Sequence, residues 1–356
     1  MFNKKTIKDI PVSGKTVLVR TDYNVPLNGS TITDDLRIQA SIPTIEYLLK
    51  NGAAKIILIS HLGRPNGKSD PALSLAPVAD HLRTLLPGTA VDFVPEITGP
   101  EVSSAVDRLP QGGILLLENL RFSPDEEANS EDFARNIVAS THADVFVQDG
   151  FAVVHRAHAS TDAITKLLPS VAGLLVEDEA TNLLKVLNDP IHPVLVIIGG
   201  AKVKDKHPLI DNFLSIADDI AVGGKIAADG YDSPSPKVFV ADDFVEDSTG
   251  AKLDIGPKST AKIFDMINNA KTVIWNGLLG KAEEPAYAES SHAVAEALGR
   301  SSATVIIGGG DTAGFVENLK AKDPTLRYSL ISTGGGASLE FLSGESLPGI
   351  ESLSNK

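Results

Sequence analysis

Short runs of Val, Ile and Leu return along the whole chain with stretches of helical period between them. That rhythm suits a mostly parallel sheet covered by helices on both faces. The runs at residues 16–20, 55–60, 90–94, 113–117 and 144–148 predict one series of strands, and those at 194–198, 220–222, 237–240, 272–275, 304–307 and 328–332 predict a second. Between them, residues 41–49 place Ile42, Ile45 and Leu48 at helical spacing, 75–86 does the same, and 132–140 follows Ser130, a residue suited to cap a helix. A longer helical stretch, 174–187, separates the two series. The expected fold is α/β, two doubly wound parallel-sheet domains joined by a helix.

With 356 residues, 42% of them hydrophobic, the chain can bury a large core and fill two domains. It contains no cysteine, which removes disulfide frameworks, zinc-thiolate sites and thiol nucleophiles and fits a reducing compartment. Residues 1–14 lack the apolar core of a signal peptide, and no apolar run approaches the length of about 18 residues that a membrane span needs. A net charge of -14 without a lysine-rich stripe argues against nucleic acid as a partner. A cytoplasmic enzyme with no membrane partner is the expectation.

Ligands of doubly wound sheets bind beyond the carboxyl ends of the strands. The unusual residues fall there: Arg20-Thr21-Asp22-Tyr23-Asn24, Ser60-His61-Leu62-Gly63-Arg64, Glu118-Asn119-Leu120-Arg121 and Gln148-Asp149-Gly150 in the first half. Arg37, Arg64, Arg121 and Arg156 each follow an apolar run in a strongly acidic chain, and guanidinium is the side chain best suited to bidentate contact with carboxylate and phosphate. A small polyanion is therefore expected in the first half. Arg83, Arg108 and Arg135, within or beside helical patterns, read as surface ion pairs. The second half instead carries glycines after its strands: Gly199-Gly200, Gly223-Gly224, Asn276-Gly277, Gly308-Gly309-Gly310-Asp311-Thr312 and Gly334-Gly335-Gly336. Glycines repeatedly linking strand to helix suit backbone amides that wrap phosphate.

Other patterns carry less. The stretch from Gly63 to Ser69 is one residue short of a Walker A loop, and Pro65 removes an amide donor. Gly308 to Ala313 fits a dinucleotide fingerprint, but no acidic residue follows about 20 positions later to hold a ribose. No HExxH cluster and no serine elbow occurs, and His155 and His158 read as chain anchors around Arg156 rather than a metal pair. His81, His142, His192, His207 and His292 read as structural or exposed, whereas His61 opens the turn that leads to Arg64.

Taken in order, these segments resemble the phosphoglycerate kinase family along nearly the whole chain. The matching motifs run from Val17 to Leu27, Ile32 to Arg37, Ser60 to Pro65, Glu118 to Phe122, His155 to Thr161, Gly199 to Lys206, Asp254 to Lys258, Gly308 to Thr312 and Ser332 to Glu340. The resemblance implies reversible phosphoryl transfer between 1,3-bisphosphoglycerate and MgADP to give 3-phosphoglycerate and MgATP, in a hinge-bending, monomeric kinase. It also implies an acid-binding domain at 1–172, an interdomain helix at 173–190, a nucleotide domain at 191–335 and a segment at 336–356 that returns to the first domain.

Carried over by resemblance, Asp22 and Asn24 hold the hydroxyl and carboxylate end of the glycerate, and His61, Arg64, Arg121 and Arg156 join a basic ring around it. Arg37 matches the family's transition-state arginine. Lys202 and Lys206 would contact the nucleotide phosphates and the group in flight, Asp311 would hold Mg2+, and Glu283 would accept from the ribose. Asn276, Gly309, Gly310 and Thr312 complete the ATP/ADP site, and the amides around Gly335 and Gly336 would cradle the transferring phosphoryl.

The chain also departs from the family. Asn276-Gly277-Leu278-Leu279-Gly280-Lys281-Ala282-Glu283 lacks the usual proline and aromatic, and the stretch from Gln148 to Val154 is rewritten. Between Gly223 and Pro236 the chain is shorter by roughly a helix, less than a strand-helix-strand unit ordinarily needs. Two other functions stay open at this stage. One is a catalytically weak relative that binds glycerate phosphates or nucleotides, and the other is a nicotinamide-dependent oxidoreductase. The joint presence of Arg37, Lys202, Lys206 and Asp311 argues against the first, and the missing ribose acid against the second.

Overall fold

The computed structural model describes residues 2–200, 207–332, 334–342 and 344–356, which divide into two compact units, 1–181 with 346–356, and 182–345. Lys202 and Lys206 lie outside the described residues.

The first unit is built on six parallel strands, β1 Thr16–Arg20, β2 Lys55–Ile59, β3 Val91–Val94, β4 Gly113–Leu117, β5 Val145–Gln148 and β6 Ser170–Ala172. Their order across the sheet is β3-β4-β2-β1-β5-β6. Because side chains alternate between faces, each strand feeds two cores. Val17, Val19, Ile56, Leu58, Ile114, Leu116, Val145 and Val147 pack on one side, and Leu18, Ile57, Ile59, Leu115, Leu117 and Phe146 on the other. Each such side chain is worth about 1.5–3 kcal/mol when fully buried, which is why these strands read as continuous apolar runs.

Helix Leu36–Lys50 begins five residues before the stretch the periodicity marked, and carries Pro43 in its interior, where it cannot donate to the preceding turn. Helix Glu131–Thr141 starts where expected, with Ser130 Oγ accepting from the Phe133 amide at 3.3 Å, and ends on His142 in the left-handed region. Strand β6 has no apolar run to announce it. It pairs with β5, and the chain termini close over its far side, with Ile7 donating to the Ala172 carbonyl at 2.9 Å and Ser354 to that of Ser170 at 2.9 Å.

The second unit repeats the plan with β7 Val194–Ile198, β8 Asp219–Val222, β9 Val238–Val240, β10 Thr272–Asn276, β11 Thr304–Gly308 and β12 Leu330–Ile331, in the order β9-β8-β7-β10-β11-β12. Its switch point lies between β7 and β10, which run in parallel register from Val194 opposite Thr272 to Ile198 opposite Asn276. Strand β12 keeps only two of the five residues that the sequence marked.

The crossover from β8 to β9 is completed despite its shortness. A single turn, Gly224–Ala228, buries Ile226 and Ala227, and β9 pairs in parallel with β8 at the edge of the sheet. All three β9 residues remain half-exposed, unlike the fully buried β7 and β10. Helix Leu174–Asn188 runs across the boundary between the units. Among the described residues no helix is long and apolar enough to cross a membrane.

Candidate active site

In the first unit the carboxyl ends of β1, β2, β4 and β5 bring most of the expected acid-site residues together. Asp22 is buried just beyond β1, and its Oδ2 accepts from Arg37, in the first turn of helix Leu36–Lys50. Its Oδ1 accepts from the Asn24 amide at 3.1 Å and lies 3.8 Å from His61 Nδ1. Asn24 turns its own Oδ1 to the Gly63 amide at 2.8 Å, which fixes the turn after β2. Gly63 needs its glycine there, since φ is +63° and a Cβ would meet the Leu73 side chain at 2.7 Å.

Arg121, on a turn after β4, donates from Nη1 to the Gly63 carbonyl at 2.9 Å and pairs through Nε with Glu127 at 3.2 Å. Asn119 anchors that turn by donating to the carbonyls of Leu62 at 2.7 Å and Leu73 at 2.9 Å. Arg156 and Arg64 are exposed, and Arg156 donates to His155 Nε2 at 3.0 Å.

Arg20, which sequence reasoning quoted but gave no role, lies fully buried beneath this cluster. It donates to Ser160 Oγ at 2.8 Å, approaches His61 Nδ1 at 3.2 Å and has Glu126 at 3.9 Å. Glu126 takes Ser160 through both oxygens, the amide at 3.1 Å and the hydroxyl at 2.5 Å. A buried charge survives only when paired and hydrogen-bonded, and this pair is both. The signal available was an arginine ending an otherwise apolar strand. Its charge partner Glu126 and its acceptor Ser160 stand more than a hundred positions away, beyond the reach of local pattern.

The electrostatics record the excess of positive charge. Burial first, and then the guanidiniums of Arg20, Arg121 and Arg37, hold His61 well below the usual imidazole range. Burial and Arg156 push His155 down to about 4, and burial with Arg121, Arg20 and Arg156 pushes His158 down to about 4. Burial is the larger cause in each case, and the guanidiniums add a field of positive charge around the three imidazoles. His155 and His158 were expected to act as chain anchors. Neither Nδ1 has a hydrogen-bond partner, but His155 Nε2 accepts from Arg156 at 3.0 Å and His158 Nδ1 lies 3.9 Å from Glu126, while Thr161 also holds this loop, donating to the Arg156 carbonyl at 2.6 Å and accepting from the His158 amide at 2.9 Å.

The second unit's site is made of backbone. Gly199 and Gly200, after β7, bond to the carbonyls of Asn276 and Leu278 at 2.9 and 2.7 Å. A Cβ on Gly199 would stand 2.4 Å from the Leu278 oxygen, one on Gly277 would stand 2.2 Å from the Gly199 oxygen, and one on Gly224 2.8 Å from the Gly200 nitrogen. These glycines are required by mutual approach. Trp275 is fully buried and donates to the Gly277 carbonyl at 2.9 Å, while the Gly277 amide donates to Thr312 Oγ1 at 2.9 Å. Gly309, at φ +95°, lies against the Asn276 amide and precedes helix Gly310–Lys322, whose first turn carries an exposed Asp311. Gly335 and Gly336 stand at the start of helix Gly336–Leu342. Leu279 buries its side chain against Gly223. Glu283 is exposed on the following turn.

A single carboxylate at a helix start fits magnesium. Mg2+ keeps several waters and takes one or two carboxylates together with substrate phosphates rather than a protein cage. Consistent with that, no group of three His, Asp or Glu among the described residues gathers to hold a metal unaided.

Comparison with known proteins gives one answer. The sequence profile described as "Phosphoglycerate kinase" matches residues 7–229 and 228–345, breaking at the shortened crossover. The phosphoglycerate kinase of Herpetosiphon aurantiacus is 41% identical over 402 aligned positions, covering 100% of both chains, and that of Moorella thermoacetica is 41% identical over 99% of this chain and 100% of its own. Those alignments are longer than the 356-residue chain, as a deletion requires. Among solved structures, the phosphoglycerate kinase of Pyrococcus horikoshii superposes with a TM-score of 0.88 at 27% identity, covering 99% of this chain and 98% of its own. That of Coxiella burnetii gives 0.77 at 31% identity, covering 98% of each. The chain belongs to the phosphoglycerate kinase family, and is a glycolytic kinase (EC 2.7.2.3) that exchanges a phosphoryl group between phosphoglycerate and ATP/ADP.

Proposed function

We propose that the first unit binds 3-phosphoglycerate or 1,3-bisphosphoglycerate through Asp22, Asn24, His61, Arg64, Arg121 and Arg156, and that the second binds MgATP or MgADP. The observation that carries this reading is geometric: Asp22, held by Arg37 and lying 3.8 Å from His61 Nδ1, shares the strand ends of the first unit with Arg121, whose Nη1 donates to the Gly63 carbonyl at 2.9 Å. Arg37, paired with Asp22, would exchange that partner for the transferring phosphoryl. Lys202, Lys206 and the amides at Gly335 and Gly336 would meet the same group from the nucleotide side. Asn276, Gly309, Gly310, Asp311, Thr312 and Glu283 would hold the nucleotide.

Phosphoryl transfer through a loose transition state asks the protein for position and charge rather than a nucleophile. Arginines and backbone amides supply both, so no general base is required. Asp311 would hold Mg2+ against the nucleotide phosphates, where the ion neutralises charge on their oxygens. The protein acts as a cytoplasmic monomer in this reading.

With the ligands starting on separate units, turnover requires bending that brings them together, on the microsecond-to-millisecond scale typical of such closures. Small-angle scattering with neither, either or both ligands tests this. Compaction with both is expected, and an unchanged radius in all states would overturn it.

A further inference from the structure

Asp149 is fully buried at the end of β5, and nothing in the chemistry above uses it. Its surroundings are specific. Oδ1 accepts from the Leu175 amide at 3.0 Å. Beside it, Thr44 Oγ1 accepts from the Leu174 amide at 2.9 Å. Two consecutive first-turn amides of helix Leu174–Asn188 are thus satisfied from outside the helix. The residue that would normally cap it, Gly173, has no side chain because the carboxylate occupies the place: a Cβ there would stand 2.1 Å from Asp149 Oδ1. Oδ2 has no hydrogen-bond partner, and burial raises the pKa to about 7. A group this costly to bury is retained for what it holds.

What it holds connects to the acid site by two routes inside the first unit. The Asp149 amide donates to the Arg20 carbonyl at 2.8 Å, and Arg20 reaches His61. Thr44 lies two turns along the same helix from Arg37, on the same face, and Arg37 holds Asp22.

We propose that Asp149, with Thr44, is a positioning residue that locks the first turn of helix Leu174–Asn188 to the strand ends and the helix carrying Asp22 and Arg37. An anion drawn into the arginine ring then moves the start of that helix with it. This rests on the acid-site reading given above.

The test uses the full chain with Asp149→Asn, Gly173→Ala and their combination. Gly173→Ala alters no ligand-facing residue and drives a methyl into the same contact, so it serves even where Asp149→Asn folds poorly. Each single variant is expected to lower kcat about tenfold or more, the scale of a sub-ångström to ångström misplacement, with KM for 3-phosphoglycerate and MgATP within about threefold. The double variant is expected to lose no more than the worse single one, because both break one contact. Amide exchange at Leu175 should quicken in each, while 3-phosphoglycerate ceases to slow it. Normal kcat with faster exchange, or additive losses in the double variant, would overturn the positioning role and leave the acid site standing. Loss of 3-phosphoglycerate binding in Arg121→Met supports the acid site, and retained binding there would remove the basis for both.

Discussion

On the proposed assignment the two units would solve the same problem, holding a polyanion at the carboxyl end of a parallel sheet, with different materials. The first uses side chains locked to one another: Asp22 to Arg37 and Asn24, Asn24 to Gly63, Gly63 to Arg121, and Arg20 beneath them to Glu126 and Ser160. The second uses absent side chains, where Gly199, Gly224 and Gly277 approach so closely that a single methyl would collide with backbone. A carboxylate-bearing acid would be met by fixed guanidinium forks. A flexible phosphate chain would be met by amides, which only glycine lets near enough. The contrast predicts that first-unit substitutions act through charge and second-unit substitutions through access and shape.

The largest break should come at Arg37. Replacing it with Met removes the charge assigned to the group in flight and should lower kcat by about 10³, the scale of arginines supplied to such transition states. Steady-state turnover measures it, and near-normal kcat would leave Arg37 as a mere partner of Asp22.

Next in size is a proton-linked effect confined to the first unit. Imidazoles depressed to about 4 in His155 and His158 stabilise the fold fully above about pH 6.5, the unfolded value. As pH falls from there toward 4 the unfolded chain takes up protons that the folded one does not, and that contribution is lost. A bound anion offsets the guanidinium field, so 3-phosphoglycerate should raise the imidazole pKa values by about one unit, a factor of ten in proton affinity. Histidine titration by NMR with and without the acid reads this directly. MgADP alone should leave the same resonances unmoved.

Legibility divided along the same line. Arginines and glycines declare their chemistry as letters, so the strand-end motifs, the two-sheet fold and the family all emerged from the sequence. Arg20 did not, because its worth lies in Ser160 and Glu126, distant in the chain. Strand β6 did not, because Ser170–Ala172 is short and pairs by position rather than by an apolar run. The helix from Leu36 was expected only from Ser41, because Ile42, Ile45 and Leu48, which carry the helical spacing, all lie beyond its first turn. The crossover after β8 was legible as short, but not that one turn with Ile226 and Ala227 buried would suffice to keep β9 in register.

That shortened crossover gives the smallest expected effect. By resemblance the missing stretch helps wall the adenine, and β9 beside it is left half-exposed. A wetter wall discriminates less between bases. GTP and ITP should support turnover within about tenfold of ATP in kcat/KM, a gap of roughly 1.4 kcal/mol. A preference for ATP above about a hundredfold, near 2.7 kcal/mol, would mean that Tyr231 or Pro234 and Pro236 rebuild the wall from another direction.

The division of labour itself is tested most directly by calorimetry on two variants, each titrated with both ligands. Arg121→Met should weaken 3-phosphoglycerate by about tenfold or more, as the loss of a charge-assisted contact dictates, and leave MgADP within about twofold. Asp311→Asn should do the reverse, weakening MgADP while 3-phosphoglycerate binds as in the unaltered chain. If either variant weakens both ligands equally, or each weakens the ligand assigned to the other unit, the assignment of acid to the arginine ring and nucleotide to the glycine loops is wrong.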